Sequence, residues 1–289
     1  MDNVLLMISK QSLLAYRAKT FCTTPGSRLA SIDEAVEFVN QRGFIFFWPI
    51  KEMVMPSLWN AVVGDRPVPD NHDDPGHITW DWKDSMLGKR RWYYARILRK
   101  RNAMISLEMT PFFYALSENY GSPEEDFLIQ YEQGRLTQEA KSVYEALLDE
   151  GPLDSIALRK AAHLSSRESD ARFNKALGDL QGDMKILPVG ISKAGAWNYA
   201  FIYDIVPRHF PDLEEKSRFI SEKSAREKLA ETFLYSVGAA RATDLSRLFG
   251  WTADYAQNTA QSLVKSGRLL GQVQVEGEKH EYLAIPELR

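Results

Sequence analysis

Between residues 137 and 207 the apolar pattern changes once, from the period of an amphipathic helix to that of a strand. Ala140, Val143, Tyr144 and Leu147 recur three and four positions apart, which places them on one helical face. The pattern predicts helices at 137–148, 154–162 and 167–181 and strands at 186–191 and 197–205. Three helices followed by a β-hairpin are typical of a winged helix-turn-helix, whose third helix enters a groove of DNA.

The same order of elements is predicted again near the carboxyl end. The corresponding helices are 226–237, 242–249 and 252–265, and the strands are 268–275 and 281–285. Leu158 then corresponds to Leu245 and Leu180 to Leu263, and a small difference in spacing falls in the turn 165–172. A repeat of this length favours two stacked copies of one module. A chance match is the alternative, since any pattern of three helices matches in part.

The chain before this pair is predicted to be mostly helical. Helices are expected at 10–17, 31–41 and 54–63, and the apolar residues 43–50 are expected to form a buried strand. The predicted fold class is mostly α with small β-hairpins (α+β), built on tandem winged helix-turn-helix modules. We divide the chain into an N-terminal winged-helix-like domain, a connector, a winged helix, a linker and a C-terminal winged helix, at 1–118, 119–134, 135–209, 210–225 and 226–289.

Composition indicates an ordinary globular protein. The chain has 289 residues, of which 44% are hydrophobic and 26% charged. Its apolar runs are too short to cross a bilayer, and its start lacks the pattern of a secretory signal. Cys22 is the one cysteine, which excludes a disulfide framework, and it is expected in the core. We expect a cytoplasmic monomer that binds no metal and needs no cofactor.

Residues 65–84 combine prolines with acidic side chains, histidines and tryptophans, and they are predicted to form a loop. The polar members are Asp70, His72, Asp73, Asp74, His77, Asp81 and Asp84, and the aromatic members are Trp80 and Trp82. Histidine and aspartate are ligands of divalent metals. An ordered structural or gating loop is preferred, because no predicted helix places the two histidines on one face. Asp73, Asp74 and Asp81 are the candidate catalytic carboxylates, with Asp84 as a further candidate.

Residues 89–101 form the most basic segment. It contains Lys89, Arg90, Arg91, Arg96, Arg99, Lys100 and Arg101, and no acidic residue occurs from Ser85 to Leu107. The net charge of the chain is only −3, but phosphate affinity depends on local basic surface. A helix here would place four of these cations on one side. We predict phosphate contacts; the alternative is a solvated face that pairs with the acidic loop.

Further cations lie in the first predicted winged helix. Arg167, Arg172 and Lys175 belong to its third helix and Lys193 to its hairpin turn. These positions are predicted to approach the groove and the backbone of double-stranded DNA, damaged or intact.

Four segments carry a resemblance to a known family: residues 43–48 (GFIFFW), 147–153 (LLDEGPL), 203–205 (YDI) and 275–277 (VEG). In these segments, and over nearly its whole length, the chain resembles the AlkZ-type winged-helix family. These are bacterial proteins related to DNA glycosylases that act on alkylated and crosslinked bases. The resemblance implies tandem winged helices in a C-shaped arrangement around duplex DNA.

The resemblance also implies a catalytic signature, Gln-x-Gln or Gln-x-Asp, after a glycine in the first domain. Its side chains orient a water at the sugar of the damaged nucleotide. The matching positions of this chain hold Phe46 and Trp48. Neither side chain accepts a proton or orients a water as a carboxamide or carboxylate does. The departure therefore concerns the chemistry and leaves the resemblance of the scaffold intact.

Three functions follow as hypotheses. The first is a DNA-binding protein related to DNA-repair glycosylases that does not excise bases. The second is an active glycosylase that uses a substituted carboxylate and stacks a displaced base on Trp48, Trp80 or Trp82. For Phe46 and Trp48 a core position is the preferred interpretation. The third is a protein-interaction scaffold, which the acidic carboxyl-terminal half favours.

Overall fold

In the computed structural model, which describes residues 6–71, 73–195 and 197–289, the chain begins with β1 (Leu6–Ile8) and α1 (Lys10–Thr20). Within these described residues, one order of elements then occurs three times: a helix, a short strand, two further helices and a β-hairpin. The first unit comprises α2 (Ile32–Arg42), β2 (Phe44–Phe46), α3 (Leu58–Val63), α4 (Ile78–Met86), β3 (Tyr93–Leu98) and β4 (Arg101–Ile105). Ser31 begins α2 as predicted, because its hydroxyl accepts a hydrogen bond from the amide of Glu34.

The second unit follows two connecting helices, α5 (Thr110–Tyr114) and α6 (Asp126–Glu132). Its elements are α7 (Gln138–Glu150), β5 (Leu153–Asp154), α8 (Ser155–Ala161), α9 (Asp170–Gly182), β6 (Ile186–Ser192) and β7 (Ala200–Ile205). Two short helices, α10 (Val206–His209) and α11 (Leu213–Ser217), lead to the third unit. Its elements are α12 (Glu222–Val237), β8 (Ala239–Ala240), α13 (Ala242–Phe249), α14 (Ala253–Lys265), β9 (Leu270–Val275) and β10 (Glu281–Ala284).

The three units share their sheet topology as well as their element order. In each unit the short strand pairs antiparallel with the last strand, which also pairs with the middle one: β2-β4-β3, β5-β7-β6 and β8-β10-β9. In the third unit β1 adds a parallel strand next to β9. The side chains of Leu158 and Leu245, and of Leu180 and Leu263, are fully buried at equivalent places. The sequence repeat therefore corresponds to a structural one, and it extends to the first unit.

The hydrophobic core joins the first unit to the third. One cluster of buried residues includes β2, β3, α5, α12, α13 and α14. At its centre Phe44 packs edge-on against Phe113 and Phe249, with ring centroids 5.3 Å and 5.8 Å apart. Cys22, expected in the core, is only partly buried and packs against the cluster of the first unit.

Two segments differ from what the sequence suggested. The helix considered for residues 89–101 does not form; these residues form most of the β3–β4 hairpin, because Tyr93 to Leu98 is an aromatic and apolar segment buried on both faces. Residues 65–84 are not loop throughout, since α4 begins at Ile78. Thr79, Trp82 and Met86 lie buried on one face of α4, and this burial outweighs the polar composition. The polar segments 119–134 and 210–225 likewise contain α6, α11 and the start of α12. Candidate ligand His72 lies outside the described residues.

We expect Leu158→Ala and Leu245→Ala to destabilise the chain by similar amounts, about 2–5 kcal/mol, because each leaves a cavity in an equivalent core. The measurement is the free energy of unfolding in urea. Ile156→Ala is the control: its side chain is 50% exposed, so the cost should stay below about 1 kcal/mol. A cost for Leu245→Ala no larger than that of the control would contradict the equivalence of the units.

Candidate nucleic-acid interface and aromatic cavity

A cavity of about 560 Å³ lies between the first unit and the β6–β7 hairpin of the second. Its walls are mainly aromatic, and we call it the aromatic cavity. The lining residues are Phe47, Trp48, Trp80, Lys83, Tyr94, Asn102, Trp197, Tyr199 and Phe201. Both units contribute to it, so its shape depends on how the two units pack.

The floor of the aromatic cavity is a row of stacked rings from the first unit. The rings of Phe47 and Trp48 follow β2 and stack at 5.4 Å, and Trp48 stacks on Trp80 of α4 at 5.8 Å. Phe46 is only 1% exposed, as its predicted core role requires. Trp48 is only partly buried and lines the cavity, so the core interpretation holds for it only in part.

The rim comes from the loop between β6 and β7. Trp197, in this loop, is 90% exposed and lines the aromatic cavity. Tyr199, which is 39% exposed, lines the same cavity, and exposed aromatic surface that borders a cavity is typical of a binding site. Gly195, two residues before Trp197, has a φ of +85°, a conformation that L side chains rarely adopt.

Lys83, Asp84 and Tyr199 form a closed triangle at the wall of the cavity. Nζ of Lys83 lies 2.8 Å from Oδ1 of Asp84 and 2.9 Å from the hydroxyl of Tyr199. The same hydroxyl donates a hydrogen bond of 3.0 Å to Asp84. The ammonium group also lies 4.7 Å from the ring centre of Phe201 and 5.6 Å from that of Phe47. The triangle links α4 of the first unit to the hairpin of the second.

Burial shifts the pKa values of two members of this triangle, Lys83 and Tyr199. Lys83 is 4% exposed, and desolvation lowers its pKa below the usual lysine value, although the contact with Asp84 opposes the shift. Desolvation and the charge of Asp84 raise the pKa of Tyr199. Tyr199 therefore remains a neutral hydroxyl that can donate to Asp84.

Two polar atoms of the cavity walls lie buried without a partner among the described residues. They are Nε1 of Trp48 and the hydroxyl of Tyr94. Tyr94 is 3% exposed, and burial raises its pKa well above the usual value. Both atoms are closed off from solvent, and a buried polar atom without a partner costs free energy.

Three of the four candidate carboxylates lie away from the aromatic cavity. Asp73 and Asp81 are exposed, and neither lines the cavity. Asp74 forms a bidentate ion pair with Arg66 at 2.6 and 2.9 Å and accepts a hydrogen bond from the amide of Gly76. The guanidinium of Arg66 holds the pKa of Asp74 below its usual value. The carboxylate of Asp84, the fourth candidate, lies beside the cavity through its contact with Lys83.

The described residues of the loop do not assemble a recognisable metal site. Among residues 6–71, 73–195 and 197–289, no group of three or more histidines, cysteines and acidic side chains converges as metal ligands do. None of the helices in the same ranges has the length and apolarity that a membrane-spanning segment needs.

The predicted cations of the first and second units meet at one aspartate. Lys100, in the turn of the β3–β4 hairpin, forms an ion pair with Asp179 of α9. Lys175 of α9 pairs with the same carboxylate at 2.6 Å. Burial acts to raise the pKa of Asp179, but the two ammonium groups outweigh it and lower the pKa. The structure thus brings part of the two predicted binding segments together, with a shared carboxylate between them.

The hairpin turn itself is conformationally unusual. Arg99 and Lys100 have φ values of +53° and +55°, in a two-residue turn that ordinarily favours asparagine and glycine. Arg99, Lys100 and Arg101 are exposed. Long basic side chains thus occupy positions where they cost conformational energy, which points to a role outside folding.

The remaining predicted cations are scattered around this pair. Arg172 pairs with Glu139 at 3.0 Å, and Arg91 pairs with Asp33 at 3.4 Å. The guanidinium of Arg90 lies 5.9 Å from the ring of Phe210, and the backbone amide of Arg96 donates to Gln181. Lys89, Arg167 and Lys193 are exposed. Whether these residues contact nucleic acid stays a prediction.

Sequence reasoning missed the residues that form the cavity wall. Lys83 was overlooked because it is one cation inside an acidic segment, and Trp197 and Tyr199 were assigned to a strand that begins only at Ala200. The contact between Lys83 and Tyr199 joins residues far apart in the chain. The available signal was the cluster of aromatic residues at 197–203.

Comparisons with known proteins give a family and a fold. A family model described as "AlkZ related" matches residues 29–250, which leaves the 275–277 segment outside the match. The solved structure of the DNA glycosylase AlkZ of Streptomyces sahachiroi superposes with a TM-score of 0.61 at 11% identity. The superposition covers 98% of this chain and 71% of the Streptomyces chain. No curated protein matches the chain.

We expect Asp84→Asn to cost more stability than Lys83→Met. The first change leaves a buried ammonium without its carboxylate, at about 3 kcal/mol, whereas the second removes the charge and keeps the apolar stem. Removing Asp84 lowers the pKa of folded Lys83 further. The unfolded chain then binds more protons, so the deficit of Asp84→Asn should shrink as pH rises towards the normal lysine pKa. Urea unfolding from neutral pH upwards measures this, and a deficit independent of pH would contradict it.

Proposed function

The chain belongs to the AlkZ-related family, and we propose that it is a DNA-binding relative of DNA-repair glycosylases that receives an unstacked base in the aromatic cavity. The proposal depends on the aromatic cavity. Stacked rings line one side of this cavity, and the exposed indole of Trp197 borders the other. Base-to-aromatic stacking suits every base, because each base presents a π face.

The three repeated units support an assignment as tandem winged helices. Each has two helices followed by a hairpin, and in the second unit these are α8, α9 and the β6–β7 wing. We propose a C-shaped arrangement around a DNA duplex, as the resemblance to the AlkZ-type family implies. In this assignment Arg99 and Lys100 occupy the tip of the first wing, and Trp197 occupies the second wing.

The proposed path of the DNA backbone follows the cations that surround Asp179. Arg99, Lys100 and Arg101 at the first wing and Lys175 on α9 would contact phosphates, with Arg167, Arg172 and Lys193 further along. Ion pairs with Asp179 hold Lys100 and Lys175 in place without a ligand. A phosphate would compete with the carboxylate for the same ammonium groups.

Base excision is the second candidate. The observation that favours it is Asp84, a carboxylate beside the aromatic cavity whose hydrogen bond comes from Tyr199. Asp84 would replace the Gln-x-Gln or Gln-x-Asp groups as the residue that activates water, since Phe46 and Trp48 do not. Release of base from an alkylated duplex that Asp84→Asn abolishes and Asp73→Asn preserves would support this candidate.

We expect Asp179→Asn to strengthen binding to duplex DNA at low salt by about threefold to tenfold, because it frees Lys100 and Lys175 for phosphates. The slope of log affinity against log salt should become steeper. Fluorescence anisotropy of a labelled duplex measures both. Glu145→Gln is the matched control: it makes the same change of charge and frees Lys141, which lies on α7 outside the proposed path. Equal effects of the two substitutions would refute the proposed path.

We expect Trp197→Ala to reduce the preference for a duplex with an unpaired base over a fully paired duplex, by about tenfold. An unpaired base costs less to unstack, so the loss of an aromatic contact should appear mainly there. Affinity for the paired duplex should change little. Phe219→Ala, which removes another side chain that is 89% exposed, is the control. If Trp197→Ala kept the preference of the wild type for the unpaired base, the proposal that the aromatic cavity receives the base would be contradicted.

A further inference from the structure

Lys83 has a feature that binding an unstacked base does not use. Its amine is buried, yet the side chain lines a cavity that has room for a nucleotide-sized group. We propose that Lys83 forms a Schiff base with the aldehyde of an abasic deoxyribose that enters the aromatic cavity. This inference rests on the proposed function, because the sugar must belong to DNA held at this surface.

The surroundings of Lys83 suit an amine nucleophile. A lysine attacks a carbonyl only as the neutral amine, and desolvation in an apolar site favours that form. The rings of Phe47, Tyr94, Tyr199 and Phe201 lie within 4.7–5.8 Å of the nitrogen. The desolvation that these rings cause lowers the pKa of Lys83. Asp84 lies 2.8 Å from the nitrogen and is placed to accept its proton.

The condensation balances without an oxidant or reductant. The proton of the ammonium passes to Asp84, and the nitrogen lone pair then forms a bond to C1′ of the ring-opened sugar. The carbonyl oxygen takes up one proton from the attacking nitrogen and one from Asp84, and it leaves as water with the electrons of the C1′–O bond. The nitrogen lone pair forms the second bond to C1′ as the water leaves. The product is an imine between Lys83 and the sugar, and addition of water reverses the reaction. Tyr199, which remains a hydroxyl, would donate a hydrogen bond to the carbonyl oxygen during attack.

The absence of a base explains why an abasic sugar fits this cavity. An intact nucleotide would place its base against the rings of Trp48 and Trp80. An abasic sugar leaves that space open and is free to move towards the wall that carries Lys83.

Lys185 provides a matched comparison within the chain. It is also buried, and desolvation lowers its pKa to about 8. Its amine donates to Oδ1 of Asn119 at 2.7 Å, and it lines a separate cavity of about 210 Å³. If a buried amine were sufficient for capture, Lys185 would react as well.

Borohydride trapping tests the proposal. A duplex whose uracil has been removed by a uracil glycosylase carries a defined abasic aldehyde. Sodium borohydride reduces an imine to a stable amine, so capture appears as a covalent protein–DNA adduct on a denaturing gel. We expect wild type and Lys185→Met to be trapped, and Lys83→Met and Lys83→Arg to lose the adduct. Lys83→Arg keeps the cation, and it controls for the loss of the buried ion pair.

Anisotropy with an intact duplex separates the possible failures. Wild type that binds the duplex but forms no adduct overturns the Schiff base and leaves the proposed function standing. An undiminished adduct in Lys83→Met also overturns it. If the wild type binds no duplex, the proposed function is overturned, and the Schiff base that rests on it is overturned as well. Mass spectrometry of the digested adduct should find the modified peptide at Lys83, and modification only at surface lysines would count against the proposal.

Discussion

The buried contact between Lys83, Asp84 and Tyr199 joins the first unit to the second at the aromatic cavity, where Phe201 also packs against the core of the first unit. Burying an ammonium and a carboxylate costs desolvation energy that their attraction only partly returns, so such a contact demands exact geometry more than it adds stability. Here the geometry that must be maintained is the packing of the β6–β7 hairpin against α4. Gly88 belongs to the same junction: a side chain at this position would approach the carbonyl of Val189 to 2.6 Å. The two units approach each other this closely because the glycine at position 88 has no side chain.

The fold supplies the rigidity that this contact requires. The first unit shares a core with α5, α12, α13 and α14, so it is fixed to the third unit as well as to the second. In each unit the short strand completes the hairpin sheet, which positions the hairpin relative to the helices. Of the side chains that line the aromatic cavity, those of Trp80, Lys83, Tyr94, Asn102 and Phe201 lie on helices or strands, and those of Phe47, Trp48, Trp197 and Tyr199 lie next to them. Sites on such elements keep their geometry better than sites on loops.

The sequence predicted the second and third units well, because their helices carry clear apolar periods and their strands are apolar. The first unit was predicted only as a winged-helix-like domain, without its element order, because α3 spans only Leu58–Val63 and a polar segment separates it from α4. The seven cations of residues 89–101 left a solvated helix open as an alternative, whereas the burial of Tyr93 and Tyr94 decides for a strand. The aromatic cavity could not be predicted from the sequence, because the contact between Lys83 and Tyr199 forms only when the two units pack together.

The central claim is that the aromatic cavity receives a nucleotide taken from a duplex. A crystal structure of the full chain with a duplex containing one unpaired base tests it most directly. The account predicts the extruded nucleotide against Trp48 and Trp80, with Trp197 beside the gap in the duplex and phosphates near Lys100 and Lys175. A duplex bound on another face of the protein, with the cavity closed to it, would contradict the account.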